Sequence, residues 1–371
     1  MPWYLLVFSL LFLQSAMAED ISIVGNPSIH QLNGVQHIFA RDTNGHLREW
    51  WRNPESDWHR EDLSAIFNEK KIAGNPISSA VNGIQHVFAR DTNGHLLEWW
   101  WRVEDGWHLE DLTPAGETII GDPFYYNNHN GVQYVFAQDS DGDLRVWWWT
   151  AQDGWSSIDL THFEGLNEDI EGHLAGNPFF AIEQNGTVHV FARNINGDLI
   201  EWWWTPEHGL HIENLTTVVG GQTIVGDPTI SLASNYYYTH NVFARSPDGH
   251  LLEWQWRGSH QGWKLQDLHK IKFVNFISNS GETISGDPKT CGDWKNIFVR
   301  DSNDHLKLWT NSYNGWQITD LTNVNGGTTI SGNPIADCSS YNKKDIVARN
   351  SNGYLHHWSL RATTWLAREI K

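Results

Sequence analysis

The sequence predicts an all-β fold: a seven-bladed β-propeller with four antiparallel strands per blade. Three observations carry this expectation. A unit of about 51 residues recurs seven times along the 371-residue chain. Each copy divides into four short strand-like runs. Most of the 23 tryptophans keep fixed places in that unit, so the aromatic content belongs to the repeat and not to one site.

Taken in order, the chain opens with MPWYLLVFSLLFLQSAMA. An apolar run from Tyr4 to Leu13 leads to the small-x-small triplet Ala16-Met17-Ala18. Residues 1–18 therefore read as a secretory signal peptide, too short for a membrane span. The mature chain is expected to start near Glu19, to be secreted, and to fill residues 19–371 with one propeller. Its repeats run over about 22–70, 71–117, 118–170, 171–220, 221–281, 282–327 and 328–371. No later segment is apolar enough to enter a bilayer. The formal charge of −19 excludes a phosphate-binding surface and docking on anionic lipid.

Each unit begins with Gly-Asn/Asp-Pro, at Gly25, Gly74, Gly121, Gly176, Gly226, Gly286 and Gly332. Proline fixes φ and pushes the residue before it into an extended conformation, which makes a sharp corner between sheets. The second copy then predicts strands at Ile77–Val81, Gln85–Arg90, His95–Arg102 and Trp107–Leu112. The stretch DTNGH, Asp91 to His95, fits a three-residue hairpin loop with Gly94 left-handed. A leucine recurs at Leu47, Leu96, Leu144, Leu199, Leu251, Leu306 and Leu355. Three residues on, a tryptophan recurs at Trp50, Trp99, Trp147, Trp202, Trp254, Trp309 and Trp358. On a strand these positions face opposite ways, so the pair reads as the two halves of the packing between blades.

The period exceeds that of WD40 blades, and the kelch double glycine is missing. The sialidase Asp-box spacing is missing as well. The unit HVFARDTNGHLLEWWWRVEDGWHLEDL, followed by TIIGDP, instead resembles the Photorhabdus-lectin-like (PLL-like) seven-bladed propellers. The resemblance runs through all seven copies. A weaker one links the unit to six-bladed fungal fucose lectins. The first implies a secreted lectin that binds fucose-type, sometimes O-methylated, sugars between blades. The family often has His where this chain has Glu49, Glu98, Glu201 and Glu253; only His357 keeps it. The basic residue before the family's Trp pair is here Trp99 and its equivalents.

The hairpin register pairs Arg90 with Leu96 and Phe88 with Glu98. Arg90, Glu98 and Trp100 then share one face and offer donors, acceptors and a ring, which is what a sugar requires. The Arg–Glu pair occurs as Arg41/Glu49, Arg90/Glu98, Arg193/Glu201 and Arg245/Glu253, with Trp203 matching Trp100. It is broken at Gln138/Val146, Arg300/Leu308 and Arg349/His357. The competing reading is an inter-blade ion pair. The third Trp of each run, at Trp101, Trp149, Trp204 and Trp256, reads as packing before ligand plate.

The stretch DSDGD, Asp139 to Asp143, resembles a calcium loop but falls on an ordinary hairpin turn. His46, His95, His250 and His305 share that turn position, so a solvated turn is expected there and no metal site. Cys291 and Cys338 can pair in an oxidising compartment. Asn185 and Asn214 begin glycosylation sequons. No nucleophile elbow, HExxH or phosphate loop is present, and neither an enzyme nor a cofactor is expected. The leading expectation is a multivalent lectin binding glycans or glycoconjugates, with homo-oligomerisation open. The alternatives are a propeller that binds protein through one face, using the loops Thr161–Gly172 and Lys270–Gly281, and, behind it, a glycan-active enzyme.

Overall fold

The computed structural model describes residues 20–54, 56–127, 131–161, 173–183, 186–205, 207, 209–232, 240–258, 260–271, 283–291, 293–312, 315–324, 328–340 and 343–370. The leader, the Asn185 sequon, nearly all of both long loops and Tyr236–Tyr238 lie outside the described residues.

Seven four-stranded antiparallel sheets form, each from four consecutive strands. Blade 1 spans Ile23–Asp62, blade 2 Ile77–Asp111, blade 3 Phe124–Asp159 and blade 4 Phe179–Asn214. Blade 5 spans Val225–Asp267, blade 6 Lys289–Asp320 and blade 7 Ile335–Ile370. Blade 2 has strands Ile77–Val81, Ile84–Arg90, Leu96–Arg102 and Gly106–Asp111, within one residue of those read from sequence. Its register pairs Arg90 with Leu96 and Phe88 with Glu98, as expected. Two one-turn helices, Leu63–Ile66 and Leu215–Val218, follow blades 1 and 4. Among the described residues no helix is long and apolar enough to cross a membrane.

The turns follow from local chemistry. Asp91 Oδ1 accepts hydrogen bonds from the backbone N–H groups of Asn93 and His95, each at 2.8 Å. Gly94 has φ +84°, and a Cβ there would stand 3.0 Å from Thr118, so both backbone and space demand glycine. The turn histidines are tied down: His46, His95, His250 and His305 bond Asp62, Asp111, Asp267 and Asp320 at 2.6–2.9 Å.

The core is seven apolar clusters, one per blade boundary. Each joins the recurrent Leu of one blade to the recurrent Trp of the next. Leu47 clusters with Trp99, Leu96 with Trp147, Leu144 with Trp202 and Leu199 with Trp254. Leu251 clusters with Trp309, Leu306 with Trp358 and, closing the ring, Leu355 with Trp50. All seven tryptophans are at most 3 % exposed. A second ring contact repeats beside it. A Phe of the second strand meets, edge to face, the outer-strand Trp of the next blade, as in Phe39–Trp107, Phe88–Trp155, Phe191–Trp263, Phe243–Trp316 and Phe298–Trp365.

Near the axis the Gly-Asn/Asp-Pro corners form a circle. The backbone N–H of Asn26 donates to Asn75 Oδ1 at 2.7 Å, that of Asn75 to Asp122 at 2.8 Å, and that of Asp122 to Asn177 at 2.7 Å. Asn177 donates to Asp227 at 2.8 Å, Asp227 to Asp287, Asp287 to Asn333 at 3.0 Å, and Asn333 back to Asn26 at 2.8 Å. The glycine gives the incoming side chain its room: a Cβ on Gly74 would stand 2.5 Å from Asp122 Oδ1. Burial and the neighbouring Asp287 push Asp227 up to about 6. Lys289 reaches across the axis, its Nζ 4.5 Å from the centre of the Phe179 ring. Burial pulls it down to about 8, against the attraction of Asp227 and Asp287. Cys291 and Cys338 form a disulfide between the first strands of blades 6 and 7, with Cα atoms 5.6 Å apart.

Candidate functional site

The Arg and Glu of each expected pair share a sheet face, but their side chains do not meet. Among the described residues no ion pair joins them, which corrects the ion-pair reading. The arginine ends the second strand beside the Gly-Asn/Asp-Pro corner and turns to the circle of Asn and Asp. Arg193 donates to the carbonyls of Gly226 and Ala175. Arg245 Nη2 lies 3.8 Å from Asp287. The charges of Arg41 and Arg90 act on Asp122. In the register the Phe88–Glu98 pair stands between Arg90–Leu96 and His86–Trp100, and the glutamate turns to the histidine side.

There His37 Nδ1 donates to Glu49 Oε1, His86 Nδ1 to Glu98 and His189 Nδ1 to Glu201, each at 2.7 Å. All three glutamates are 3 % exposed. In blade 7 the pair is reversed: Asp345 stands in the His position, and His357 Nε2 donates to it at 2.8 Å. Blade 5 keeps Glu253 but has Asn241 opposite Gln255, where His stands in blades 1, 2 and 4.

A second carboxylate stands cross-strand from the first in three blades: Glu49–Glu61, Glu98–Glu110 and Glu201–Glu213. Burial, opposed by His37 and reinforced by Glu61, raises Glu49. Burial and the facing glutamate raise Glu110 and Glu213. Trp100 and Trp203, the expected plates, stack on their own blade's His108 and His211 at 3.8 and 4.0 Å, so one ring face of each is already covered.

Each Glu–His pair faces the outer strand of the next blade. Between blades 1 and 2 a cavity of about 320 Å³ is lined by His37, Glu49 and Glu61 with Trp51 on one side, and Gln85, Trp101 and Trp107 on the other. The third Trp of the run is thus part of the lining. Between blades 2 and 3 Trp155 Nε1 donates to Glu98 Oε2 at 3.1 Å, and Tyr125 stacks on Phe88. Between blades 3 and 4 the same place is apolar, with Tyr134, Val146, Trp148, Trp204 and Leu210 around about 350 Å³. Between blades 7 and 1 it is basic, with Arg52, Lys343, Arg361 and Arg368 beside Asp345.

Two sets of residues went unread in the sequence. The outer-strand tryptophans, Trp107 and its equivalents, are the partners across the boundary. Parity could have found them, since Trp107 pairs with Trp101 and so shares the face of Trp99, the face turned to the preceding blade. The second glutamates repeat twelve residues after the first, at 49/61, 98/110 and 201/213. The turn acids Asp139, Asp143 and Asp159 do cluster, but Asp139 Oδ1 already accepts from the backbone of Asp141 and Asp143.

Residues 85–124 and 187–230 match a family described as "Repeat of unknown function (DUF346)". No curated protein matches the chain. Among solved structures, the BP39L lectin from Burkholderia pseudomallei aligns at 16% identity and TM-score 0.65, over 94% of this chain and 100% of that one. The SapL1 lectin in complex with alpha methyl fucoside aligns at 14% identity and TM-score 0.50, over 94% and 97%. A PL25 polysaccharide lyase, an ulvan lyase, aligns at 12% and 0.56, over 94% and 96%. At these identities the likeness is one of fold, and the chain is a seven-bladed β-propeller built from a single repeated four-stranded unit.

Proposed function

We propose that the protein is a secreted, non-catalytic lectin that takes sugars in its inter-blade clefts, foremost the one between blades 1 and 2. The observation that carries this reading is the composition of that cleft. Glu49, Glu61 and Gln85 offer hydrogen-bonding groups to ring hydroxyls, and Trp51, Trp101 and Trp107 offer plates to a C–H face. Leu32 and Val35 in the same lining suit a methyl group, as on fucose or an O-methylated sugar. Lectins of this fold, one of them solved in complex with alpha methyl fucoside, support it. The Glu–Glu pair occurs in three blades, which fits repeated recognition better than one catalytic centre. Several weak sites on one ring would gain affinity by multivalency.

The test is a glycan array with the chain from Glu19 onward, followed by calorimetry with methyl fucoside. Glu49→Gln and Trp107→Ala are expected to lower the number of sugars bound per chain, Glu49→Gln at unchanged melting temperature and Trp107→Ala with a lower one, since it also loses its contact with Phe39. A blank array from folded protein would overturn the reading and favour a propeller that binds protein partners.

A further inference from the structure

The boundary between blades 4 and 5 departs from the repeat at two positions. The second strand carries Gln36, Gln85 and Gln133 in blades 1, 2 and 3, partnered with Arg52, Trp101 and Trp149; blade 5 has His240 in that place. At the end of the first strand, blades 1 and 2 have Leu32 and Val81, whereas blade 4 has Glu183. Both changes point at His189, which the repeat itself supplies.

The three side chains meet. His240 Nε2 is 2.7 Å from Glu183 Oε1, and His189 Nε2 is 3.7 Å from the same oxygen. The two imidazole centres are 4.5 Å apart. One ligand atom from each residue lies within 4.8 Å of the other two. His189 and His240 are 7 % and 3 % exposed. His189 Nε2 is buried without a hydrogen-bond partner. Its Nδ1 donates to Glu201 Oε1 at 2.7 Å, which fixes the ring and aims Nε2 at Glu183 and His240. A carboxylate behind a histidine in this way is the usual second partner of a metal ligand.

We propose that Glu183, His189 and His240 bind one divalent transition-metal ion of the zinc class, bridging blades 4 and 5. Two imidazoles and one carboxylate suit zinc, whereas calcium and magnesium take oxygen ligands. Tetrahedral ligands about 2.0–2.1 Å from zinc stand about 3.3 Å apart, between the two Glu183–imidazole distances above, each of which needs to change by about half an ångström. Three protein ligands leave the fourth position open. The site is independent of the sugar reading, because the cleft between blades 1 and 2 has neither Glu183 nor His240.

The experiment uses the full chain, dialysed against a chelator and then titrated with zinc chloride by calorimetry, with melting temperature followed in parallel. One zinc per chain and a rise in melting temperature are expected. His240→Gln installs the residue of blades 1–3 and keeps the cleft filled; Glu183→Gln keeps its shape. Each is expected to weaken zinc at least 100-fold and to abolish the melting shift while leaving the metal-free melting temperature close to wild type. Glu201→Gln should weaken zinc about 10–100-fold, as loss of a second-shell carboxylate does. Failure of folded wild-type protein to bind zinc stoichiometrically would overturn the proposal. Retention of wild-type affinity in both His240→Gln and Glu183→Gln would do so too, assigning the metal to other histidines among the 20 in the chain. Sugar titrations on the same samples report on the lectin reading alone.

Discussion

Glu253→Gln should stabilise this protein, with a gain that grows from about pH 4.5 and is nearly complete at neutral pH. Glu253 is 5 % exposed. The histidine that accompanies Glu49, Glu98 and Glu201 is replaced in blade 5 by Asn241, and the facing glutamate by Gln266. Burial therefore dominates, and it pushes Glu253 up to about 7 from its ordinary 4.5, against the weak pull of Arg257. A carboxyl group raised by folding holds its proton in the native state after the unfolded chain has released it. Stability accordingly falls as pH rises from about 4.5 to about 7 and stays low above that. The gap between about 7 and 4.5 corresponds to about 3 kcal/mol. Glutamine mimics the protonated form at every pH. Urea unfolding of both proteins from pH 4 to pH 9 should show nearly coincident stabilities at pH 4. By pH 8.5 the variant should lead by about 3 kcal/mol. A lead independent of pH, or a variant less stable at pH 8.5, would refute the argument.

Trp99→Ala removes a fully buried indole from the boundary between blades 1 and 2 and should cost about 3–5 kcal/mol in chemical denaturation. Asn75→Ala breaks the axial circle, leaving the Asn26 N–H and one Asp122 oxygen without partners. It should cost about 1–3 kcal/mol, read as a lower denaturation midpoint. Replacing Cys291 and Cys338 together by Ser opens a loop with a sequence separation of 47. The loss should be about 2–4 kcal/mol, seen as a lower thermal midpoint matched by wild type under reductant.

The blades were legible because their determinants are local and repeated. Asp91-Thr92-Asn93-Gly94-His95 dictates its turn, the turn dictates the register, and the register puts Leu96 and Trp99 on opposite faces. The sites were less legible because they form between blades. Phe88 is opposite Glu98 in the pairing, so Arg90 and Glu98 share a face without touching, and the arginine answers to an acid of the next blade. Trp107 belongs to the cleft of blade 1 although it lies in blade 2. His240 looked like one more variable repeat position until Glu183, 57 residues earlier in sequence, came to stand beside it.

The axial circle has a mechanical consequence. Each corner both gives and receives one bond, and the bond from Asn333 to Asn26 is as short as those between covalently consecutive blades. The molecule behaves as a hoop without a weak stave, in which the chain ends mark no seam. The seven blade boundaries are therefore held at fixed spacing and angle around a rigid rim, and with them the clefts that open there. On the lectin proposal, a ligand that occupies more than one cleft must bring the matching spacing itself, so density and geometry on the opposing surface set how many engage at once.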